Sequence, residues 1–415
     1  MKLISKFGVE FHKATLKNGV NVFLFRRIGM PIYLRAVFFS GSRFDTISGT
    51  AHFLEHMLFA GTEKFPSKNL MAEYIQKVGG DFSAATDADS LRFNIEIPEV
   101  TDIDVGIDLL NECLNKSLFN PKTIENERGA ILSELSGKKA NPKAYVWDVS
   151  RRITMQETPS GNTNLGTEDS IKSIKLDDLI DFKRTFLHAG NLSFVVSGDI
   201  DMGLLMDKLD SIAIPVGEPF SISEKLPIVK NVTQAIEKYS GSNINSVIAC
   251  RTNVVDYKEY CALQVLNSIL AGGRGSRLAT ILRYQNGLVY SVSGSLFNGP
   301  DWGALNVEFA CVKDNFNKVV DLIFSEFSTL NEKGVLETEL ENTKSRLAKG
   351  MIRSTQTSQS WVDLHQIQCA FYPTNPKTIE DYINTIQALA ISDINAVVKK
   401  YLKKENFYTA ICGDL

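Results

Sequence analysis

Residues 178–199 read DLIDFKRTFLHAGNLSFVVSGD, and residues 393–414 read DINAVVKKYLKKENFYTAICGD. A gapless shift of 215 residues superposes the two stretches. Asp178/Asp393, Leu187/Leu402, Asn191/Asn406, Gly198/Gly413 and Asp199/Asp414 are identical pairs. In each copy a helical pattern meets Asn, and a β-branched and aromatic run then closes on Gly-Asp. Such self-similarity at a fixed offset marks a duplicated unit, each copy ending its half of the chain.

The boundary between halves follows from composition. Residues 215–229, PVGEPFSISEKLPIV, carry Pro215, Gly217, Pro219 and Pro227 and interrupt the periodic segments, as a linker does. The expected division is an N-terminal domain at 1–214, a linker at 215–229 and a duplicated C-terminal domain at 230–415. Within the first half, Leu91, Phe93, Ile95 and Ile97 alternate with polar residues, the pattern of a strand with one buried face. A helix is predicted over Asp102 to Leu118, with Ile103, Ile107, Leu110, Leu114 and Leu118 on one stripe. Alternating strands with helices between them predict an α+β fold of two homologous domains, each a mainly antiparallel sheet packed with helices.

Composition narrows the function classes. The 415 residues are 44% hydrophobic and 22% charged, which excludes disordered, collagen-like and coiled-coil chains. Forty-five Lys and Arg against 48 Asp and Glu give a net charge of −3, so no basic footprint for nucleic acid exists. Six scattered Cys without a CxxC pair read as buried thiols of a reducing compartment. The first residues lack an apolar signal core, and no run is long enough to span a bilayer. The expectation is a soluble, unexported, cytoplasmic protein.

The chemistry lies in AHFLEHMLFAG, Ala51 to Gly61. On a helix His52 and His56 stand four apart on one face, where two imidazoles reach one Zn²⁺. Glu55 sits on the neighbouring edge, placed to address a metal-held water instead of the metal. A catalytic zinc takes three protein ligands and keeps a position open, so a third donor is needed from another element. The segment Thr123 to Leu135 is the best source. Its apolar stripe is Ile124, Ile131 and Leu135, and Glu127 and Glu134, seven apart, project along one edge of it. No fourth ligand with helpful spacing is found, which disfavours a storage or sensor site.

The His-x-x-Glu-His order is that of the inverzincins. With GSRFDTISGTAHFLEHMLFAGTEKFP at Gly41 to Pro66, followed by GGDFSAATDAD and ENERGAILSEL, the chain resembles the pitrilysin/insulinase-type zinc peptidases, in their short processing-peptidase-like branch. The resemblance extends through the C-terminal half. It implies a processing-peptidase and LuxS-type metallohydrolase-like fold, His52, His56 and Glu134 as ligands of one Zn²⁺ per chain, Glu55 as general base and Glu127 as a supporting carboxylate. It further implies that the strand bearing Ser83 and Ala84 pairs with the substrate backbone. The family usually has Asn where this chain has Ser83, so a side-chain amide contact is lost there. The long glycine-rich loop of the noncatalytic processing-peptidase subunit is absent.

Aligning Ala51 with Ala262 puts Leu263, Leu266 and Asn267 opposite His52, Glu55 and His56, and Gly61 opposite Gly272. The second domain is therefore expected to carry no metal. The resemblance matches Arg283 and Tyr290 to an Arg and a Tyr that contact substrate from the partner half. The expected function is zinc-dependent endopeptidase action on extended or unfolded peptides. The alternative is a noncatalytic or partner-dependent subunit on the same fold. Longer family members join four such domains, so a homodimer or a heterodimer with a related chain is expected of a two-domain chain, with no membrane partner.

Overall fold

Among the described residues of the computed structural model, which are 2–4, 7–220, 227–252 and 256–415, twelve strands form two sheets. The first contains β1 (Lys2–Ile4), β2 (Val9–Thr15), β3 (Asn21–Arg26), β4 (Ile32–Phe38), β5 (Asp81–Thr86), β6 (Leu91–Ile97) and β7 (Leu192–Gly198). Their order is β1-β2-β3-β7-β4-β6-β5. The second contains β8 (Gln234–Glu237), β9 (Asn243–Arg251), β10 (Val289–Asn298), β11 (Gly303–Val312) and β12 (Phe407–Cys412), in the order β10-β11-β9-β12-β8. Each sheet is antiparallel except for one pair, β3 with β7 and β8 with β12. Read from its other end, the second sheet matches β3-β7-β4-β6-β5 strand for strand, parallel pair included. The fold is α+β, and the two repeated sequences are the helices Leu176–Phe186 and Ile391–Tyr401 with the strands β7 and β12 that follow them.

Packing gathers the chain into two compact units whose segments alternate. The first is Met1–Leu135, Asn162–Ser221 and Met351–Glu380; the second is Ser136–Gly161, Ile222–Gly350 and Asp381–Leu415. The linear division at 214 and 229 contains no such exchange, and residues 221–226 of the expected linker lie outside the described residues. Burial supplies the reason for the exchange. All seven residues of β4 and all seven of β7 are buried, so these strands need cover on both faces, not on one. One face of the first sheet packs on the large apolar core with the helices Thr50–Phe59 and Ile103–Asn115. The other face receives the helix Ser358–Phe371, whose Trp361 and His365 lie 5.8 and 4.1 Å from the Phe25 ring. The second sheet repeats the arrangement, with Val146, Val149 and Ile153 of the helix Pro142–Thr154 against Val247, Ala249, Tyr408 and Ala410. One-sided alternation holds better for β6, where Arg92 and Glu96 remain partly exposed between buried neighbours.

Polar side chains fix the exchanged helix in place. Arg35 of β4 is 4% exposed and donates to Asn94 at 2.6 Å and to Asp363 and Gln366 at 2.7 Å each. The helix predicted over 102–118 ends at Asn115, and Leu118 lies beyond it with 38% of its surface exposed. There the chain turns to bridge Thr62 through Ser117, which takes Leu118 off the apolar stripe. All six cysteines are buried free thiols. No helix among the described residues is long and apolar enough to cross a membrane.

Trp361 is 1% exposed, and its indole N–H donates to the Thr355 carbonyl at 3.1 Å. Trp361→Ala is expected to cost the first unit about 3–5 kcal/mol. Hydrogen exchange should rise in β4 and β7 and stay unchanged in β9 and β12. Equal loss of protection in both sheets would count against the assignment of this helix.

Candidate metal centre

The helix Thr50–Phe59 begins at Gly49, whose φ of 99° lies in the left-handed region that only glycine enters readily. Asp45 caps it, accepting from the backbone N–H of Gly49 at 2.7 Å and of Ala51 at 2.9 Å. Phe53, Leu54, Met57 and Leu58 are wholly buried and hold the helix in the core. This fixes the rotation of the helix and sends His52, Glu55 and His56 toward the helix Pro121–Lys139. That helix enters the same core through Ile124, Ile131 and Leu135. Arg128 ties the two together: its guanidinium lies 5.2 Å from the Phe53 ring and donates to the carbonyls of Ile171 and Ile174.

Between these helices the donor atoms converge. One ligand atom each of His52, His56 and Glu134 lies within 4.8 Å of the others, and among the described residues this is the one such group of three. His52 Nε2 and His56 Nε2 are both 3.8 Å from Glu134 Oε2, too long for hydrogen bonds. His56 Nδ1 is 2.9 Å from Glu127 Oε2. A carboxylate there accepts, which fixes the proton on Nδ1 and turns the Nε2 lone pair toward Glu134. Two imidazole nitrogens and a carboxylate oxygen, with one ring oriented by a second carboxylate, fit a zinc ion in donor type and number. Half of the Glu134 side chain is exposed, so the group opens to solvent on that side.

Glu55 accepts from Thr86 Oγ1–H at 2.6 Å through Oε2. Burial raises its pKa above the ordinary carboxylate range; the Thr86 hydrogen bond and His56 oppose this, and Glu134 adds to it. Thr86 ends β5, an edge strand whose outer side has no strand partner among the described residues. On this strand Ser83 is exposed and accepts from Asn94 Nδ2 at 3.2 Å, while Ala84 is half-buried.

Arg283 and Tyr290 belong to the second unit, and each occupies a backbone irregularity. Arg283 lies in the π-helical turn Ala279–Gln285, with its guanidinium 5.8 Å from the Tyr284 ring. Tyr290 is the extra residue of a β-bulge, because Val289 pairs with Cys311 and Ser291 with Ala310. It is 86% exposed. In the same unit the helix Tyr257–Ala271 buries Leu263 and Leu266 completely. Asn267 fills the remaining space: a Cβ placed on Gly294 of β10 would lie 2.3 Å from Asn267 Oδ1. At the counterpart of the candidate metal centre Leu263, Leu266 and Asn267 are buried in place of ligands.

Asp45, Thr86 and Arg128 escaped the sequence reading. All three stand in the quoted blocks GSRFDTISGTAHFLEHMLFAGTEKFP, GGDFSAATDAD and ENERGAILSEL, but nothing there gave any of them a role. Nothing in the chain order links Thr86 to Glu55.

The profile described as Insulinase (Peptidase family M16) matches residues 33–168, and that described as Peptidase M16 inactive domain matches residues 173–347. An uncharacterized zinc protease of Mycobacterium leprae is 26% identical over 384 residues, 90% of this chain and 84% of that protein. One of Bacillus subtilis is 24% identical over 408 residues, 94% and 95% of the two chains. The mitochondrial-processing peptidase subunit beta of Lentinula edodes is 26% identical over 397 residues, covering 91% and 84%. Among solved structures, a peptidase M16 inactive domain from Pseudomonas fluorescens superposes with a TM-score of 0.90 at 20% identity, over 98% of each chain. A protease from Helicobacter pylori gives 0.87 at 19% identity, over 98% of this chain and 100% of its own.

Asp45→Ala removes the acceptor of two backbone N–H groups at the start of the histidine helix. A loss of about 1–2 kcal/mol is expected. Chemical denaturation followed by the first unit's signals will measure it, and an unchanged midpoint would show the cap to be dispensable.

Proposed function

The chain belongs to peptidase family M16, the insulinase family, and from that membership we propose that it is a zinc-dependent endopeptidase acting on extended or unfolded peptides. The observation that supports this most is the convergence of His52, His56 and Glu134 with Glu127 on the far nitrogen of His56. His52, His56 and Glu134 would hold one Zn²⁺, which when bound supplies Lewis acidity that polarises a carbonyl and acidifies water. Glu55 then takes the proton of the attacking water and returns it to the leaving amine. Thr86 occupies Oε2, which leaves Oε1 as the oxygen for that transfer. Burial keeps the carboxyl pKa raised, a useful direction for a group that must both accept and donate near neutrality.

The free edge of β5 suits an extended peptide, which would add as a further strand beside Ser83 and Ala84. Main-chain bonds serve there without a side-chain amide, so Ser83 costs side-chain contact and not strand pairing. Arg283 and Tyr290 are proposed as donors to the substrate carbonyl and to the charge that develops on it. The exposed, bulged position of Tyr290 is consistent with such a role.

A partner-dependent form of the same activity draws support from one relative, which is a peptidase subunit. We propose that the chain works as a dimer, with a copy of itself or with a related chain. A stable monomer that cleaves peptides unaided would count against this.

Glu55→Gln should retain zinc by metal analysis and lose about 10²–10⁴-fold in peptide turnover. Undiminished turnover would overturn the assignment of the base. A chelator should abolish wild-type cleavage, and zinc should restore it. Glu127→Gln should weaken zinc binding by about 10–100-fold in a competitive chelator titration. An unaltered affinity would show that His56 needs no carboxylate behind it.

A further inference from the structure

A second site lies in the first unit and shares no residue with the metal centre. It is a cavity of about 320 Å³ between β4, the end of the helix Ile103–Asn115 and the helix Leu176–Phe186. That volume stands at the small end of the range for ligand pockets, about 300–1,000 Å³. Phe38, Leu114, Ile180, Leu187, Ile214 and Pro215 form most of its wall, and Lys183 and Arg184 also line it.

The two cations differ. Arg184 pairs with Asp181 at 2.9 Å, and both side chains are mostly exposed, so it belongs to the rim. The Lys183 ammonium makes no hydrogen bond or ion pair among the described residues and lies 5.5 Å from the Phe119 ring. Other lysines of the chain are paired, Lys208 with Asp104 and Lys138 with Asp148. A lysine at an apolar border usually carries its charge out to water. Lys183 instead lays its ammonium against the Phe119 ring, and burial lowers its pKa below the ordinary lysine value. The cavity thus presents one under-solvated positive charge at the side of an apolar chamber. A phosphate dianion would need more donors than one ammonium supplies, whereas a single carboxylate on a hydrocarbon body matches both the charge and the walls.

We propose that this cavity binds a monocarboxylate with a compact apolar body, its carboxylate paired with Lys183 and its carbon skeleton against Leu114, Leu187 and Ile214. The carboxylate can belong to a free aromatic or branched acid or to the C-terminus of an apolar peptide. Binding at this site stands whether or not the chain hydrolyses peptides.

Calorimetric titration of the full chain with 3-phenylpropanoate, and separately with acetyl-alanyl-phenylalanine, tests it. Saturable binding of either is expected, and their ratio tells which source the cavity prefers. The neutral 3-phenylpropan-1-ol should bind the wild type about tenfold more weakly than the acid. Lys183→Met keeps the aliphatic stem against Phe119 and should weaken the acid by a similar factor. Equal affinity for acid and alcohol, undiminished binding by a folded Lys183→Met, or no binding of either acid up to about 10 mM would overturn the proposal.

Discussion

Burying two imidazoles and a carboxylate on one short helix is the constraint from which the first unit is built. Phe53, Leu54, Met57 and Leu58 gain by leaving water, and they draw His52, Glu55 and His56 in with them. Polar groups at such a depth need partners, and two other elements, the helix Pro121–Lys139 and the strand β5, provide them. Glu127 takes one nitrogen of His56, Thr86 takes one oxygen of Glu55, and Glu134 faces the remaining nitrogens without bonding to them. Arg128 on the Phe53 ring then links the two helices, and Asp45 fixes the first turn of the histidine helix.

The second unit shows what the same scaffold does when that constraint is lifted. Its sheet reproduces the strand order and the single parallel pair, and its helix Tyr257–Ala271 packs on β10 and β11 as Thr50–Phe59 packs on β5 and β6. Leucines at 263 and 266 need no polar partners, and Asn267 closes the gap against Gly294, while the helix Glu337–Ser354 meets this helix through Arg346, which donates to the Ser268 and Gly272 carbonyls. The fold therefore does not require the cluster of His52, His56 and Glu134. It tolerates it, at a depth where ordinary apolar packing would serve stability as well.

Much of this was legible in the chain. The repeat at 178–199 and 393–414 is local, because a helix and the strand after it share one continuous pattern. The His-x-x-Glu-His spacing is local for the same reason, since a helix puts residues four apart on one face. Glu127 and Glu134 could be nominated because they share an edge of their own apolar stripe. The exchange of the helices Pro142–Thr154 and Ser358–Phe371 was not legible: both are amphipathic, and nothing in either names the sheet it will cover. Thr86 was invisible as a partner of Glu55 for a related reason, since 31 residues and a strand separate them.

By itself, then, the sequence determined the α+β class, the duplication, the loss of ligands from the second half and the residue types at the centre. These depend on periodicity and spacing, which a single element carries within itself. Tertiary structure alone decided which helix covers which sheet, that Thr86 meets Glu55, and that among the described residues the Lys183 ammonium is left unpaired beside a cavity. Those outcomes depend on how burial rotates one element against another. That rotation is a property of the packed core, not of any segment's own pattern.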